Sequence, residues 1–213
     1  MFGGVVEKNI LNENQCKWLE FYLSNKIDTL DIISFSEQDM MAKKVIGQNN
    51  LIIEEALGRL RYQIPFDELR SDILETFYDI AHKFNPKLKL NSTTFAIYSN
   101  KYGKPKLPPH MDKHDSNFTM FYQVSSNIEW PLFIQQESET LQNNEALLLN
   151  TKNTIHWRYP RIFVDGEYTS MIFLHFEDGS KSMLSVQERY DICEPWKKIY
   201  NEIIIKEYGH QIH

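Results

Sequence analysis

The sequence lacks most features that mark membrane-spanning or secreted proteins. It has only two cysteines, Cys16 and Cys193, in 213 residues, which is too few for a disulfide framework and matches no metal-binding spacing. No stretch approaches the ~18 consecutive apolar residues of a membrane-spanning helix. The N-terminus has no basic segment followed by an apolar run, so it does not read as a signal peptide. We therefore expect a cytoplasmic protein, in a reducing compartment and without a membrane partner.

Positive charge is also scarce. The 23 Lys and Arg residues are outnumbered by 29 Asp and Glu, which gives a net charge of −6. Because a nucleic-acid interface requires clustered Lys and Arg, we expect no nucleic-acid partner. Aromatic residues, in contrast, make up 13% of the chain, and this favours a β-rich core or an aromatic-lined pocket.

The N-terminal part of the chain, residues 1–86, has a mainly helical hydrophobic pattern. The elements predicted there are a helix that begins after Asn12, a short strand near Ile32–Phe35, a helix over Asn50–Tyr62 and a helix from Asp67 to Phe84. The dipeptide Asn85-Pro86 ends the last of these helices. We interpret this part as a helical support for the segment that follows.

The pattern changes to strands over residues 87–178. Short segments rich in apolar and β-branched residues alternate with turn signals, and the predicted strands are Leu88–Tyr98, Phe118–Val124, Pro131–Gln135, Ala146–Asn150, Thr154–Arg158 and Tyr168–Phe176. Strands at this spacing predict an antiparallel sandwich or jelly roll. Residues 179–213 return to a helix that Glu194-Pro195 would open. We expect one α+β domain over residues 1–213.

The most informative pattern is His110-Met111-Asp112, which His156 follows 44 residues after the Asp. On an extended strand, residues i and i+2 point to the same face. A distant histidine would then come from a strand folded alongside. Two histidines and a carboxylate on one face of an octahedral ion leave about three positions open, which is the ligand set of an iron(II) site. By chance a His-x-Asp triplet is expected about 0.4 times in such a chain, so the triplet needs supporting context.

That context resembles the iron(II)/2-oxoglutarate-dependent oxygenases, in particular their prolyl-4-hydroxylase-like branch of bacterial and phage type. The similar features are Tyr102-Gly103 before Pro109-His110-Met111-Asp112, the strand Phe118–Tyr122, the segment Pro131–Phe133, the strand Asn144–Asn150, His156 and the closing strand Tyr168–Phe176. The resemblance covers roughly residues 90–178. It implies a double-stranded β-helix (jelly roll) core with flanking N-terminal and C-terminal helices.

The resemblance also implies a site and an activity. His110, Asp112 and His156 would bind iron(II) and form the catalytic centre, with 2-oxoglutarate as cosubstrate. Such a dioxygenase uses O2 to hydroxylate a peptidyl side chain, prolyl for example, or a small molecule, and it releases succinate and CO2. Two alternatives stay open: a cupin-like metal-dependent enzyme that does not use 2-oxoglutarate, and a non-catalytic binding module on the same fold.

The residues that would hold the cosubstrate depart from the family pattern. Where members often carry Arg-x-Ser on the final strand, this chain has Tyr168-Thr169-Ser170. The first choice for the basic residue is Arg158, two positions after His156, and the second is Arg161. Hydroxyl contacts are predicted from Tyr98, Tyr102, Tyr168 and Ser170. Contacts with the metal ligands or with substrate are predicted from His175, Trp157 and Tyr122.

Overall fold

A computed structural model of the protein describes residues 4–35, 51–112, 117–180 and 184–208. The strands are β1 Gly4–Lys8, β2 Ile32–Phe35, β3 Leu51–Glu54, β4 Arg59–Gln63, β5 Lys89–Tyr98, β6 Leu107–His110, β7 Phe118–Ser126, β8 Leu132–Ile134, β9 Glu137–Glu139, β10 Glu145–Leu149, β11 His156–Arg158 and β12 Thr169–Glu177. The α-helices are α1 Glu13–Thr29, α2 Ser71–Phe84 and α3 Val186–Tyr208. Short 3-10 helices span Glu55–Leu57, Phe66–Glu68 and Asn100–Tyr102.

The strands form two sheets. The large sheet has the order β1-β10-β7-β12-β5-β4-β3-β2, and the small sheet has the order β6-β11-β8-β9. Strands β2 and β3 pair in parallel, and the other pairs are antiparallel. A buried apolar cluster joins the two sheets, and its members are Phe121, Leu132, Ile134, Leu141, Leu147, Leu149 and Met171. The prediction of antiparallel strands after residue 86 is confirmed.

The large sheet is buried on both faces because helices cover the face opposite the small sheet. On β12, Met171 packs toward the small sheet, whereas Ile172 and Leu174 join the core formed with the helices. The same alternation occurs on β10, where Leu147 and Leu148 pack into different clusters. A strand with one exposed face alternates apolar and polar residues, whereas a strand covered on both faces needs apolar residues at successive positions. This explains the nearly continuous apolar runs of these strands.

Helix α1 begins where the sequence predicts. The Asn12 side chain accepts a hydrogen bond from the Gln15 backbone N–H, and the Gln15 side chain accepts one from the Asn12 N–H, which forms a capping box. Leu19 and Leu23 then bury one face of α1 against the core. Helix α2 ends at Phe84, as predicted, and starts at Ser71 rather than at Asp67.

The helix predicted over Asn50–Tyr62 is wrong, because this segment forms the hairpin β3–β4 with a 3-10 turn between the strands. Leu60 and Tyr62 are buried in the core, while Arg59 and Arg61 face the other side. This alternation has the period of a strand, and the turn between β3 and β4 obscured it in the sequence. The short strand predicted near Ile32–Phe35 is confirmed as β2, whereas β1 was not predicted. Residues 4–35 and 51–86 therefore contain more strand than the predicted helical pattern implies. Residues 36–50 lie outside the described ranges.

Helix α3 begins at Val186, eight residues before the predicted opening at Glu194-Pro195. Pro195 therefore lies inside the helix. Because proline lacks the N–H donor, it removes one backbone hydrogen bond there. Cys193 and Tyr200 are buried on the face of α3 that packs against the small sheet. In the described part of the chain, no helix is both long enough and apolar enough to cross a membrane.

Two glycines allow the turn between β3 and β4 to pack against the loop before β6. Gly58 has φ +60°, and a Cβ atom built there would clash with the backbone of Lys104 and Pro105. Gly103 has φ +130°, and a Cβ atom there would clash with the carbonyl oxygen of Glu55. Only glycine accepts both the left-handed backbone and the close approach. These contacts hold the β3–β4 hairpin beside the segment that leads to His110.

We expect Gly58→Ala to destabilise the protein more than Gly166→Ala. Gly166 also has a positive φ, +86°, but a Cβ atom added there would meet nothing within 4 Å. Gly166→Ala therefore measures only the free-energy cost of placing a non-glycine residue in this backbone conformation. That cost is about 1–2 kcal/mol, and the clash at Gly58 should add about 1–3 kcal/mol. Urea denaturation of the two variants measures the difference. Equal stability of the two variants would show that the hairpin is not held by this close approach.

Candidate metal centre

The pairing of β6 with β11 brings the two candidate histidines together. Their Cα atoms are direct partners in the antiparallel register, His110 at the end of β6 and His156 at the start of β11. Asp112 follows two residues after His110, and its Oδ1 lies 3.6 Å from the His110 Nε2 and 3.7 Å from the His156 Nε2. All three ligand atoms lie within 4.8 Å of one another, so the group could hold a metal ion.

Backbone carbonyls orient both imidazole rings. The Nδ1 of His110 lies 2.9 Å from the carbonyl oxygen of Pro108, and the Nδ1 of His156 lies 3.2 Å from that of Thr154. A ring nitrogen that faces a carbonyl carries the proton, so each Nε2 keeps a free lone pair. Both lone pairs are then available on the side where Asp112 lies.

Asp112 is held by groups from three other elements. The hydroxyl of Thr119 on β7 donates a hydrogen bond of 2.6 Å to Oδ2. Since that hydroxyl has one proton, it accepts from the Nδ1–H of His175, which lies 3.1 Å away on β12. The guanidinium of Arg189 on α3 donates to the Asp112 backbone carbonyl, and the Asp112 N–H donates to the carbonyl of Thr151. The free oxygen, Oδ1, is the one that faces the histidines.

The protonation states suit a divalent cation. Burial lowers the pKa of His156 to about 4, with a smaller contribution from His110, so its ring is neutral at pH 7. Burial alone would raise the pKa of Asp112, but its contacts with His110 and His156 outweigh this and hold it well below the usual range. Imidazole nitrogens and one charged carboxylate are donors that fit iron(II).

The three side chains face a cavity of about 450 Å³. Its walls are formed by Leu57, Arg59, Arg61, Thr94, Tyr98, Leu107, Pro108, Pro109, His110, Asp112, Thr119, Phe121, His156, Phe173, His175 and Lys197. Among the other predicted residues, Tyr98 and His175 are therefore beside the metal-ligand candidates. Apolar side chains and converging polar groups together form this wall, as is typical of a ligand pocket.

Of the two arginines predicted to bind the cosubstrate, the structure brings only Arg158 close to the cavity. Its side chain is 3% exposed and lies one layer behind the cavity wall, where its guanidinium stacks on Trp130 at 4.7 Å and donates to the Trp130 carbonyl. Burial lowers the pKa of Arg158 to about 10, and no carboxylate of the described residues pairs with it. Arg161 instead lies in a loop near the surface, 3.5 Å from Glu167, which corrects its predicted role.

Three predicted residues lie on strand faces that point away from the cavity. Tyr122 faces the helices, where its ring lies 5.1 Å from that of Phe77. Ser170 also faces away from the cavity, and its hydroxyl donates a 3.0 Å hydrogen bond to a backbone carbonyl of β7. Trp157 points from the small sheet to α3, where its ring lies 5.1 Å from that of Trp196. Because strand side chains alternate between faces, these residues cannot line the cavity, and we correct their predicted roles.

Tyr102 and Tyr168 lie at a separate surface depression, next to the turn at Gly166. The Tyr168 hydroxyl is 2.8 Å from that of Ser125, and burial raises the pKa of Tyr102. Neither residue is a wall of the metal-site cavity, so the structure does not bring their hydroxyls to the metal-ligand candidates.

The sequence interpretation missed several polar groups of the site. Thr119 could have been found, because the correctly predicted strand β7 places it on the same face as Phe121. Arg59 and Arg61 were hidden by the incorrect helix prediction, although their alternation with Leu60 and Tyr62 was a signal. These residues show how much of the cavity comes from the large sheet.

We expect Thr119→Val to weaken metal binding by about 10–100-fold, because Asp112 would lose the hydrogen bond that orients it. Isothermal titration with Co(II) measures the affinity. Thr93→Val is the matched control, since the Thr93 hydroxyl is buried on β5 and makes no hydrogen bond to a described residue. An equal loss of affinity in both variants would contradict the role of the Thr119 hydroxyl.

No protein-family model matches the sequence, and no curated protein matches it. Solved structures do share its fold. A Pseudomonas putida prolyl-4-hydroxylase superposes with a TM-score of 0.57 at 9% identity, over 84% of this chain and 95% of that chain. A Trichoplax adhaerens prolyl hydroxylase, solved with a peptide fragment of hypoxia inducible factor, has a TM-score of 0.54 at 12% identity, over 86% and 87%.

HygX from Streptomyces hygroscopicus, solved with nickel and 2-oxoglutarate bound, has a TM-score of 0.52 at 9% identity, over 88% of this chain and 90% of that chain. At such low identities, similarity shows the fold alone. The chain thus has a mixed α/β fold with antiparallel sheets, similar to that of structures of 2-oxoglutarate- and iron(II)-dependent oxygenases, prolyl hydroxylases among them.

Proposed function

We propose that the protein is an iron(II)- and 2-oxoglutarate-dependent dioxygenase with a single double-stranded β-helix (jelly roll) domain. It would hydroxylate a peptidyl or small-molecule substrate with O2 and release succinate and CO2. The observation that carries this proposal is the convergence of the His110 Nε2, the His156 Nε2 and the Asp112 Oδ1 at a ligand-sized cavity. A reducing, cytoplasmic setting would keep the iron ferrous.

His110, Asp112 and His156 would hold the metal, because their donor atoms are free and face one another. When bound, iron(II) would supply the activation of O2 and the oxidation of the cosubstrate and of a substrate C–H bond. The protein contributes orientation: the Pro108 and Thr154 carbonyls set the histidine tautomers. Thr119 and His175 support the carboxylate of Asp112.

Arg158 and Tyr98 are the groups that we assign to the far carboxylate of 2-oxoglutarate. Tyr98 is a wall of the cavity, and its hydroxyl can donate to an anion there. Arg158 lies behind it and has no carboxylate partner among the described residues, so its buried charge favours an anion nearby. Arg59 is a weaker candidate because its guanidinium already pairs with Glu54.

The apolar walls of the cavity would exclude water from the site. Phe121 and Phe173 flank the group of metal-ligand candidates, and Leu107 lies on β6 before His110. Side chains of this kind exclude water, which strengthens the electrostatic contacts in the cavity and protects reactive species from hydrolysis. The buried guanidinium of Arg158 supports the oxygenase over a non-catalytic module, because it offers a basic group that the final strand lacks.

We expect the protein to form succinate from 2-oxoglutarate when Fe(II), O2 and ascorbate are supplied, even without prime substrate. His156→Ala should lower the rate by more than about 100-fold, because loss of groups that merely orient metal ligands already costs about 10–100-fold. His82→Ala is the control, since the His82 ring contacts the Leu88 carbonyl at the end of α2, away from the cavity. Metal binding without any succinate formation would count against the proposal and favour a cupin-like enzyme that does not use the keto acid.

Arg158→Gln should raise the KM for 2-oxoglutarate by about 10–100-fold, which corresponds to a charged hydrogen-bond partner worth roughly 1.5–3 kcal/mol. Arg158→Lys keeps the charge but loses the planar fork, so its KM should lie between those of the Gln variant and the wild type. Steady-state succinate formation measures both values. An unchanged KM in Arg158→Gln would mean that another residue receives the carboxylate.

A further inference from the structure

We propose that the cavity binds its prime substrate through a carboxylate that Arg61 receives. This inference rests on the proposed function, because it concerns the substrate of that oxygenase. The residues that carry it belong to the β3–β4 hairpin, whereas the metal-ligand candidates lie on β6 and β11 or directly after β6. The hairpin thus brings a charged group from a separate part of the chain into the same cavity.

Arg59 and Arg61 face the cavity because β4 is a strand. Leu60 and Tyr62 alternate with them and are buried in the core on the opposite face. Both arginines are walls of the cavity that also contains His110, Asp112 and His156. Since β4 belongs to the large sheet and β11 to the small one, Arg61 and Arg158 come from opposite sheets.

One carboxylate serves these two arginines. Glu54 on β3 is the register partner of Arg59, accepts a hydrogen bond from the Arg59 Nε, and has its Oε1 3.2 Å from the Arg61 Nε. Arg59 also donates a 2.9 Å hydrogen bond to the Tyr98 hydroxyl. The Arg61 Nε is buried and makes no hydrogen bond with a described residue, despite its short distance from Glu54. The group Arg59–Glu54–Arg61 therefore has one positive charge in excess.

Bound metal and cosubstrate would not remove this charge. A divalent cation offsets Asp112 and the keto-acid carboxylate of 2-oxoglutarate, and the far carboxylate offsets Arg158. Among the described residues of the cavity wall, the Arg59–Glu54–Arg61 group then keeps one positive charge more than its single carboxylate can offset, which is costly away from water. Lys197 is less affected, because it is partly exposed and its ammonium lies 3.9 Å from the Tyr190 ring. A prime substrate with one carboxylate would neutralise the remaining positive charge of the cavity.

The apolar residues of the cavity wall indicate which chemical groups the ligand carries besides its carboxylate. Leu57, Leu107 and Pro108 add apolar surface to the same cavity. A guanidinium binds a planar carboxylate through two parallel hydrogen bonds, which favours a carboxylate over other polar groups. The substrate class is therefore a carboxylate with an apolar body. It could be a small free acid or an acidic group of a peptide, and the cavity of about 450 Å³ must hold it together with the cosubstrate.

The test compares acids with their amides on the full chain loaded with Zn(II) and saturated with 2-oxoglutarate, a complex that cannot turn over. Isothermal titration calorimetry measures pentanoate against pentanamide as the small-acid pair. The tripeptide Ac-Ala-Glu-Ala-NH2 against its Gln analogue is the peptide pair. We expect the acid of at least one pair to bind about tenfold or more tightly than its amide. The pair that responds identifies the source of the carboxylate.

Variants then assign the preference to Arg61. Arg61→Gln should reduce the acid-to-amide ratio to near one, while Arg61→Lys should retain a preference for the acid. Arg70→Gln is the matched control, because Arg70 lies at the surface and pairs with Asp72. The wild-type ratio alone can overturn the inference, so it does not depend on the folding of any variant.

Three results would overturn the inference. They are equal binding of acid and amide in both pairs, no binding of either acid, and a loss of 2-oxoglutarate affinity in Arg61→Gln as large as the loss of acid affinity. The last result would make Arg61 the cosubstrate residue. If the Zn(II)-loaded wild type does not bind 2-oxoglutarate at all, the proposed function itself fails, and the two failures are thereby distinguished.

Discussion

The pairing of β6 with β11 is the constraint on which the candidate site depends. It makes His110 and His156 direct neighbours although 45 residues separate them in the chain. A shift of one residue would turn the His156 side chain to the opposite face of the small sheet. β8 pairs with the other edge of β11, with Ile134 opposite His156, and this further holds the register. The carboxylate ligand is held separately, by Thr119 and His175 of the large sheet. The convergence of the three donor atoms is thus a property of strand register and of sheet packing.

The cavity wall carries more positive charge than the composition of the chain would suggest. The chain is acidic overall, yet three guanidinium groups are in or directly behind the cavity wall, and Glu54 is the ion-pair partner of two of them, Arg59 and Arg61. Burial makes each uncompensated charge costly, so such groups are kept where an anion binds. Net charge alone argued only against a nucleic-acid interface. The local excess of positive charge, in contrast, is the basis on which we propose anionic ligands for the cavity.

Local patterns in the sequence determined much of the fold. Most strands after residue 86, the Asn12 cap and the end of α2 were predictable because each depends on neighbouring residues, whereas β6 and β9 were not among the predicted strands. The His-x-Asp spacing and the distant His156 identified the candidate metal group for the same reason. The hairpin at Arg59 was missed, since the turn at Gly58 interrupts the sequence just before the short alternation of β4 begins.

Tertiary structure decided which side chains meet. Arg158 and Arg161 are three residues apart and chemically alike, but one is buried behind the cavity and the other lies in a loop beside Glu167. Tyr122 and Phe121 are adjacent, but they face the helices and the cavity respectively. The face of a strand that borders a cavity depends on which strands and helices cover it, and those contacts come from distant parts of the chain.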